Sequence, residues 1–151
     1  MNNNQSFVIE RVYNASIDKV WKAISDKAEM KQWYFDLEEF KPEVGFEFQF
    51  YGEGKTGEKF LHLCKITHAV KNKKLRYSCR YDRYEGISFV TFELFEEGKQ
   101  TRLKLTHEGL ETFPVTANND FAKENFAEGW TYIIGKSLPE YLSAGSGGEK
   151  N

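Results

Sequence analysis

The feature that most constrains the fold is a series of alternating segments in the middle of the chain. Apolar and polar residues alternate in "VGFEFQFY", "KFLHLCKITHAV", "LRYSCRYD", "ISFVTFELF" and "TRLKLTHEG". Each break between these segments is polar or contains glycine, which is typical of a tight turn. Short connections allow antiparallel pairing, whereas a parallel neighbour needs a crossover of a dozen residues or more. The segments therefore predict consecutive antiparallel strands with one apolar face.

The segments on either side of this series predict further elements. "FVIERVY" at 7–13 alternates as a strand, and "NASIDKVWKAISD" places apolar residues at helical spacing from about 17 to 25, with Ser16 as a plausible N-cap. A short helix in "KAEMKQWYF" would hold Trp33 near its end. After residue 109 the pattern changes, and it predicts one long amphipathic helix from about 119 to 142.

This long helix contains three residues that weaken helices, Gly129, Gly135 and Pro139. Pro139 lacks an N–H group and removes the hydrogen bond to the carbonyl of Gly135, which predicts a bend. The two glycines are interpreted as sites of close packing. A helix of about 24 residues is roughly 36 Å long, so it can lie along a whole sheet.

The fold class that follows is α+β: a curved antiparallel sheet of about seven strands that grips the C-terminal helix, with two short helices after strand 1. We expect a single domain at residues 6–142 and a flexible C-terminal tail at 143–151, which is rich in glycine and serine. A helix about 10 Å wide cannot fill the inside of a curved sheet. Side chains or a ligand must occupy the remaining space.

Aromatic residues make up 16% of the chain, and such large side chains either fill a core or line a cavity. The candidate ligand-binding residues are Trp33, Phe48, Tyr77, Tyr81, Phe92, His107, Phe126 and Trp130. Simple core packing is the alternative for each aromatic member. Tyr77 and Tyr81 share a strand face with Cys79 between them, and a buried tyrosine hydroxyl could orient an apolar ligand.

The polar residues predict no catalytic site. His107 is interpreted either as a ligand contact or as a hydrogen-bonded structural histidine, and Glu108, next to it on a strand, should face the other way. Cys64 and Cys79 are expected to be reduced, buried thiols. No spacing typical of a metal site, phosphate loop or nucleophile elbow is present, so no metal or cofactor is expected.

Charge and hydropathy limit the partners. The chain has 21 basic and 23 acidic residues, a formal net charge of −2, which argues against nucleic acid. No segment approaches the roughly 18 apolar residues of a membrane span, and the N-terminus lacks the pattern of a secretory signal. We therefore expect a cytoplasmic protein with no membrane span.

Four segments carry a resemblance to a known family: "VYNASIDKVWKAISD" at 12–26, "KQWYFD" at 31–36, "TRLKLTHEGL" at 101–110 and "GWTYIIGKSLPEYL" at 129–142. In this order they resemble the START-like superfamily (SRPBCC, helix-grip fold), and within it the Aha-type activator of heat-shock-chaperone ATPase homologue family. The resemblance spans residues 6–142. It implies a cavity between the long helix and the sheet, which in many relatives holds lipids, polyketides or other apolar molecules.

The function expected from the residues and the resemblance together is binding of a hydrophobic or aromatic small molecule, without catalysis. Two alternatives remain: a protein-interaction module that modulates a chaperone ATPase, and a cyclase- or hydrolase-type enzyme that uses the same cavity. Eukaryotic co-chaperones similar to this domain carry an additional N-terminal chaperone-binding domain, and we do not expect one in a chain of 151 residues.

Overall fold

The computed structural model describes residues 6–33, 39–53, 59–113 and 123–149. Within these ranges the chain forms strand β1 (Phe7–Tyr13), then helices α1 (Ile17–Ser25) and α2 (Lys27–Trp33). Five strands follow: β2 (Glu47–Glu53), β3 (Lys59–Val70), β4 (Lys74–Tyr81), β5 (Ser88–Glu97) and β6 (Gln100–Glu108). After a 3₁₀ turn (Leu110–Thr112), the C-terminal helix consists of α3 (Lys123–Tyr132), a π-helical segment (Ile133–Ser137) and α4 (Leu138–Glu149).

The strands form one antiparallel sheet in the order β1-β6-β5-β4-β3-β2. The α+β helix-grip class is confirmed, but the described residues contain six strands rather than about seven. The count is lower because each alternating segment forms a single strand. Even the twelve-residue β3 stays continuous through a shift of register between Ile66 and His68.

The first helix forms where the sequence predicts it. The Ser16 side chain accepts a hydrogen bond from the Lys19 backbone N–H at 3.3 Å and so caps the first turn. Val20, Trp21 and Ile24 are buried on one side of α1. The second helix, α2, is described as far as Trp33, and residues 34 and 35 of the predicted helical pattern lie outside the described residues. Both helices therefore cover part of the core with their apolar sides.

One face of the sheet forms the core together with the helices. In β4 the buried residues are Leu75, Tyr77, Cys79 and Tyr81, which alternate with more exposed neighbours. The same alternation buries Leu103, Leu105 and His107 in β6, as the sequence predicts. Trp130, Ile134, Leu138 and Leu142 of the C-terminal helix pack into the same cluster. The predicted period-two pattern is therefore what builds this apolar face.

The C-terminal helix changes its hydrogen-bond pattern just before Pro139. The N–H of Leu138 donates to the carbonyl of Ile133, five residues earlier, instead of to Ile134. The next residue, Pro139, has no N–H to offer. The Ile134 carbonyl is instead bonded by the Tyr13 hydroxyl of β1, at 2.6 Å. The proline thus coincides with a break in the regular helix, at a site that β1 stabilises.

The packing role predicted for the two glycines of this helix is wrong. A Cβ atom at Gly129 would meet nothing within 4 Å. At Gly135 it would lie 3.6 Å from the Arg11 guanidinium group, an ordinary van der Waals contact. Both residues are on the exposed side, so neither glycine is needed for close approach.

The ends of the C-terminal helix also differ from the prediction. Residues 119–122 of the predicted helix lie outside the described residues, and the described helix begins at Lys123. At the other end α4 continues to Glu149, so helical backbone extends into the segment that was expected to be a tail after residue 142. The domain limits of 6–142 and the flexibility of 143–151 stay predictions.

Candidate functional site

Four small or medium-sized side chains lie together on the helix-facing side of the sheet. Cys64 of β3 is directly opposite Cys79 of β4, and Cys79 is directly opposite Ser88 of β5. Val90, two residues after Ser88, lies beside them on the same face. All four are 1–5% exposed. We call Cys64, Cys79, Ser88 and Val90 the floor.

Nine larger side chains surround the floor in a closed circuit, in which neighbouring ring centroids are 4.4–6.5 Å apart. Seven come from the sheet and two from α3. Several neighbours meet edge to face, the arrangement that ring quadrupoles favour. In order around the floor, this aromatic frame consists of Phe48, Phe50, His62, Tyr81, Phe126, His107, Trp130, Phe92 and Tyr77.

One glycine makes room for part of the frame. Gly52 of β2 is buried, and a Cβ atom there would approach the His62 ring to 2.7 Å, closer than real contacts allow. The missing side chain lets the imidazole lie across β2 and stack on Phe50 with a centroid distance of 4.4 Å. The His62 Nδ1–H also donates to the Phe60 carbonyl at 3.1 Å. The position of the His62 ring is therefore determined by its stacking on Phe50 and its hydrogen bond to Phe60.

His107 occupies the centre of a hydrogen-bond chain beneath the helix. The Trp130 indole N–H donates to His107 Nδ1 at 2.9 Å, so Nδ1 is the unprotonated nitrogen. The ring proton is then on Nε2, which donates to the Ser88 hydroxyl at 2.8 Å. Ser88 in turn donates to the backbone carbonyl of Cys79 at 3.1 Å. This chain links α3 to β6, β5 and β4, and it uses both nitrogens of the histidine.

The electrostatics of the frame keep both histidines neutral. Burial, with a smaller contribution from His62, lowers the pKa of His107 from 6.5 to about 3. Burial likewise lowers the pKa of His62 from 6.5 to about 4, although its bonds to backbone carbonyls oppose the shift. At neutral pH the aromatic frame therefore presents no charged side chain to the floor.

The structure brings together seven of the eight predicted site residues in the frame, with Trp33 as the exception. The Trp33 indole N–H donates to the Ala23 carbonyl in α1, and the Trp33 carbonyl accepts from the Ser137 hydroxyl at 2.8 Å. Trp33 thus joins α1, α2 and the π-helical segment. Sequence reasoning did not select Phe50, His62, Ser88 and Val90, although Phe50 shares the strand face of Phe48.

An open depression of about 560 Å³ lies against β2, β3 and β4 and is a different kind of surface. Its lining combines the charged or polar residues Glu47, Gln49, Lys65 and Arg80 with the apolar residues Phe48, Leu63, Cys64 and Ile87. Opposite charges alternate in it, because Glu47 lies opposite Lys65 in the strand register. The charged side chains in this lining make the depression a poor match for an apolar ligand.

Metal-binding clusters and membrane-spanning helices are both absent from residues 6–33, 39–53, 59–113 and 123–149. Those ranges contain no group of three or more histidine, cysteine or acidic side chains that could hold a metal ion. None of the described helices is long and apolar enough to cross a membrane.

The comparison with known families agrees with the fold. The family model described as "Activator of Hsp90 ATPase homolog 1-like protein" matches residues 14–143. The chain belongs to this family. The match includes α1, the whole frame and most of the C-terminal helix, so the frame lies within the family domain. None of the curated proteins matches the chain.

Several solved structures share the fold of this chain at low sequence identity. MLL2253 of Mesorhizobium loti is 22% identical, with a TM-score of 0.75, and the match covers 92% of this chain and 97% of that one. CV1439 of Chromobacterium violaceum is 20% identical over 91% and 96% of the two chains, with a TM-score of 0.76. CalU16 of Micromonospora echinospora is 23% identical over 91% and 76%, with a TM-score of 0.70.

Proposed function

We propose that this Aha1-like protein binds an uncharged hydrophobic or aromatic small molecule between the sheet and the C-terminal helix. The observation that carries the proposal is the contrast between the floor and the frame. Small side chains reach a short distance from the sheet, whereas the surrounding aromatic rings reach much farther. Helix α3 contributes Phe126 and Trp130 to the frame, and these two rings contact the rings of the sheet. The difference in height between frame and floor therefore favours a hollow above Cys79 and Ser88.

The chemistry of the frame supports an uncharged ligand. Both histidines are neutral at pH 7, and the remaining members of the frame are Phe, Tyr and Trp. Transfer of an ion into such surroundings would cost several kcal/mol without a partner charge. Aromatic rings instead favour flat apolar groups, which they contact face to face or edge to face.

Binding without catalysis is supported by the state of His107. A general base needs an accessible nitrogen with a pKa near the working pH. The Nδ1 atom accepts from Trp130 and the Nε2 atom faces Ser88, while burial lowers the pKa of the ring to about 3. These features support a structural histidine and argue against a cyclase- or hydrolase-type reaction at this residue.

The test uses N-phenyl-1-naphthylamine, a neutral fluorescent aromatic probe, and its anionic relative anilinonaphthalene sulfonate. We expect the neutral probe to bind with a rise in fluorescence and to raise the melting temperature. At a probe concentration of 100 times the Kd the stabilisation should be about 2.7 kcal/mol. A preference for the anionic probe, or binding of neither, would contradict the proposal.

A filling substitution provides the matched control. Cys79→Leu adds volume at the floor, whereas Ser78→Leu adds the same group at the next position, on the opposite face. If the space is hollow, Cys79→Leu should fold with nearly unchanged stability and lose probe binding, while Ser78→Leu keeps it. If side chains already fill the space, Cys79→Leu should cost about 1–3 kcal/mol through overpacking.

A second candidate is an interaction module that modulates a chaperone ATPase, which the description of the matched family favours. The outer face of the sheet exposes Val8, Val12 and Phe95, which are 38–49% exposed. A chaperone ATPase assay with Val12→Glu tests this candidate separately, because the substitution lies away from the frame. A change in ATP turnover that depends on Val12 would favour the interaction module.

A cytoplasmic location is part of the proposal. Cys64 and Cys79 form no disulfide in the structure, and the cytoplasm is a compartment that keeps thiols reduced. Fractionation of cells that produce the protein tests this, and recovery in the membrane fraction would contradict it.

A further inference from the structure

Cys64 and Cys79 occupy a special position in the register of the sheet. They lie directly opposite each other on neighbouring antiparallel strands, β3 and β4, and both side chains are part of the floor. Both are buried and neither takes part in a disulfide. The chain has two cysteines in all, and the fold places them side by side.

The hydrogen-bond alternation of β3 and β4 determines the type of pair. The Asp82 N–H donates to the Leu61 carbonyl at 3.0 Å, so Leu61 and Asp82 form a hydrogen-bonded pair. Hydrogen-bonded and non-hydrogen-bonded pairs alternate along antiparallel strands. With Leu63 opposite Arg80 as the next hydrogen-bonded pair, Cys64 and Cys79 form a non-hydrogen-bonded pair.

Non-hydrogen-bonded pairs are the closer of the two kinds. Their Cα atoms are about 4.5 Å apart, compared with about 5.5 Å in hydrogen-bonded pairs. A disulfide needs a Cα separation of about 4.4–6.8 Å and a Cβ separation of about 3.5–4.5 Å. Cys79 also contributes to raising the pKa of the Cys64 thiol, as expected for neighbouring thiols. The pair therefore meets the geometric needs of a disulfide without a change of register.

We propose that Cys64 and Cys79 form a redox-active dithiol, which closes to a cross-strand disulfide when hydrogen peroxide reaches the floor. One sulfur, as thiolate, attacks a peroxide oxygen, breaks the O–O bond and becomes a sulfenic acid, while the other oxygen leaves as hydroxide. The second sulfur attacks the sulfenic sulfur, forms the S–S bond and displaces the hydroxyl group. Two electrons pass from the sulfurs to peroxide, and the two thiol protons end in two water molecules.

The surroundings predict how this oxidation proceeds. Burial and the neighbouring Cys79 thiol raise the pKa of the Cys64 thiol, so little thiolate is present at neutral pH. The first step should therefore be slower than in the unfolded chain. The second step should be fast, because the second thiol lies directly opposite the first in the strand register. A disulfide, rather than sulfinic acid, is the expected product.

The test treats the reduced, full-length protein with hydrogen peroxide and follows it by intact mass and by non-reducing peptide mapping. We expect a loss of about 2 Da, a cross-link between the peptides that contain Cys64 and Cys79, and full reversal by dithiothreitol. Cys64→Ser and Cys79→Ser should each gain oxygen atoms at the remaining thiol instead of forming this cross-link.

The matched control exchanges two neighbouring residues. The double variant Ser78→Cys with Cys79→Ser keeps the same composition, but its second thiol lies on the opposite face of β4. It should form no intramolecular disulfide while folded. A thermal melt shows whether the variant is folded. The proposal is overturned if this variant cross-links as readily as the natural chain. It is also overturned if the natural thiols reach sulfinic acid without forming the disulfide, or stay reduced after an exposure to peroxide many times longer than the one that oxidises the denatured chain.

This proposal does not depend on the small-molecule function. The oxidation uses no ligand other than peroxide, and the floor-filling test uses no oxidant. A disulfide without probe binding, or probe binding without a disulfide, would separate the two conclusions.

Discussion

Tyr13 shows how a single hydroxyl group stabilises an irregular helix. Its hydroxyl donates to the Ile134 carbonyl, which has no donor within the helix, because the Leu138 N–H bonds to Ile133 and Pro139 has none. Burial raises the pKa of Tyr13, so the hydroxyl keeps its proton. This contact joins the first strand to the last helix across 121 residues of sequence.

Removal of this hydroxyl should be costly. Tyr13→Phe leaves a buried carbonyl without a partner, and we expect a loss of about 1–3 kcal/mol in the free energy of unfolding, measured with urea. Tyr132→Phe is the matched control, because Tyr132 is 58% exposed. Equal and small effects of both substitutions would show that the Ile134 carbonyl has another partner.

The two frame histidines predict a dependence of stability on pH. Their folded pKa values, about 3 for His107 and about 4 for His62, are below the ordinary value of 6.5. Below pH 6.5 the unfolded chain takes up protons that the folded chain does not. The stabilisation is therefore fully present above about pH 6.5 and is lost as the pH falls toward the folded pKa values.

Each histidine can contribute a slope of up to about 1.4 kcal/mol per pH unit below pH 6.5. We expect urea unfolding to show falling stability between about pH 6.5 and pH 5, above the ordinary range of carboxylates. His68→Gln, which replaces an exposed histidine, should leave this slope unchanged. A stability that stays constant over this interval would mean that the frame histidines titrate normally.

At the scale of elements, the π-helical segment depends on Pro139 and Tyr13 together. Pro139→Ala supplies an N–H five residues after Ile134, which can donate to the carbonyl that Tyr13 now satisfies. In that background Tyr13→Phe should cost less than in the natural chain, with a coupling energy of about 0.5–3 kcal/mol in a double-mutant cycle. Additive effects would contradict the assigned link between the proline and the tyrosine.

The elements themselves could largely be predicted from the sequence. Alternation identified the strand faces, since Phe48, Phe50 and Tyr77 point inward as their period of two requires. The π-helical segment could not be predicted, because its five-residue hydrogen bond depends on a donor from β1. The close packing predicted for Gly129 was wrong for a related reason. Helical periodicity does not show which atoms of other elements lie opposite a residue.

At the scale of the whole molecule, most members of the frame could be predicted from the sequence, but their arrangement could not. Period-two patterns assign residues to a face but not to a register between strands. The positions of His62 opposite both Tyr81 and Phe50, and of Ser88 opposite Cys79, are set by that register. The closed frame and the paired thiols therefore became visible only in the folded chain.

The central claim is that an uncharged aromatic ligand lies above the floor, and the location of the bound probe tests it most directly. Nuclear Overhauser effects between N-phenyl-1-naphthylamine and valine methyl groups report on direct contact between the two. We expect contacts with the buried methyl groups of Val90 and none with the exposed ones of Val8 and Val12. Contacts confined to Val8 and Val12, with none to Val90, would contradict the claim and assign the probe to the outer face of the sheet.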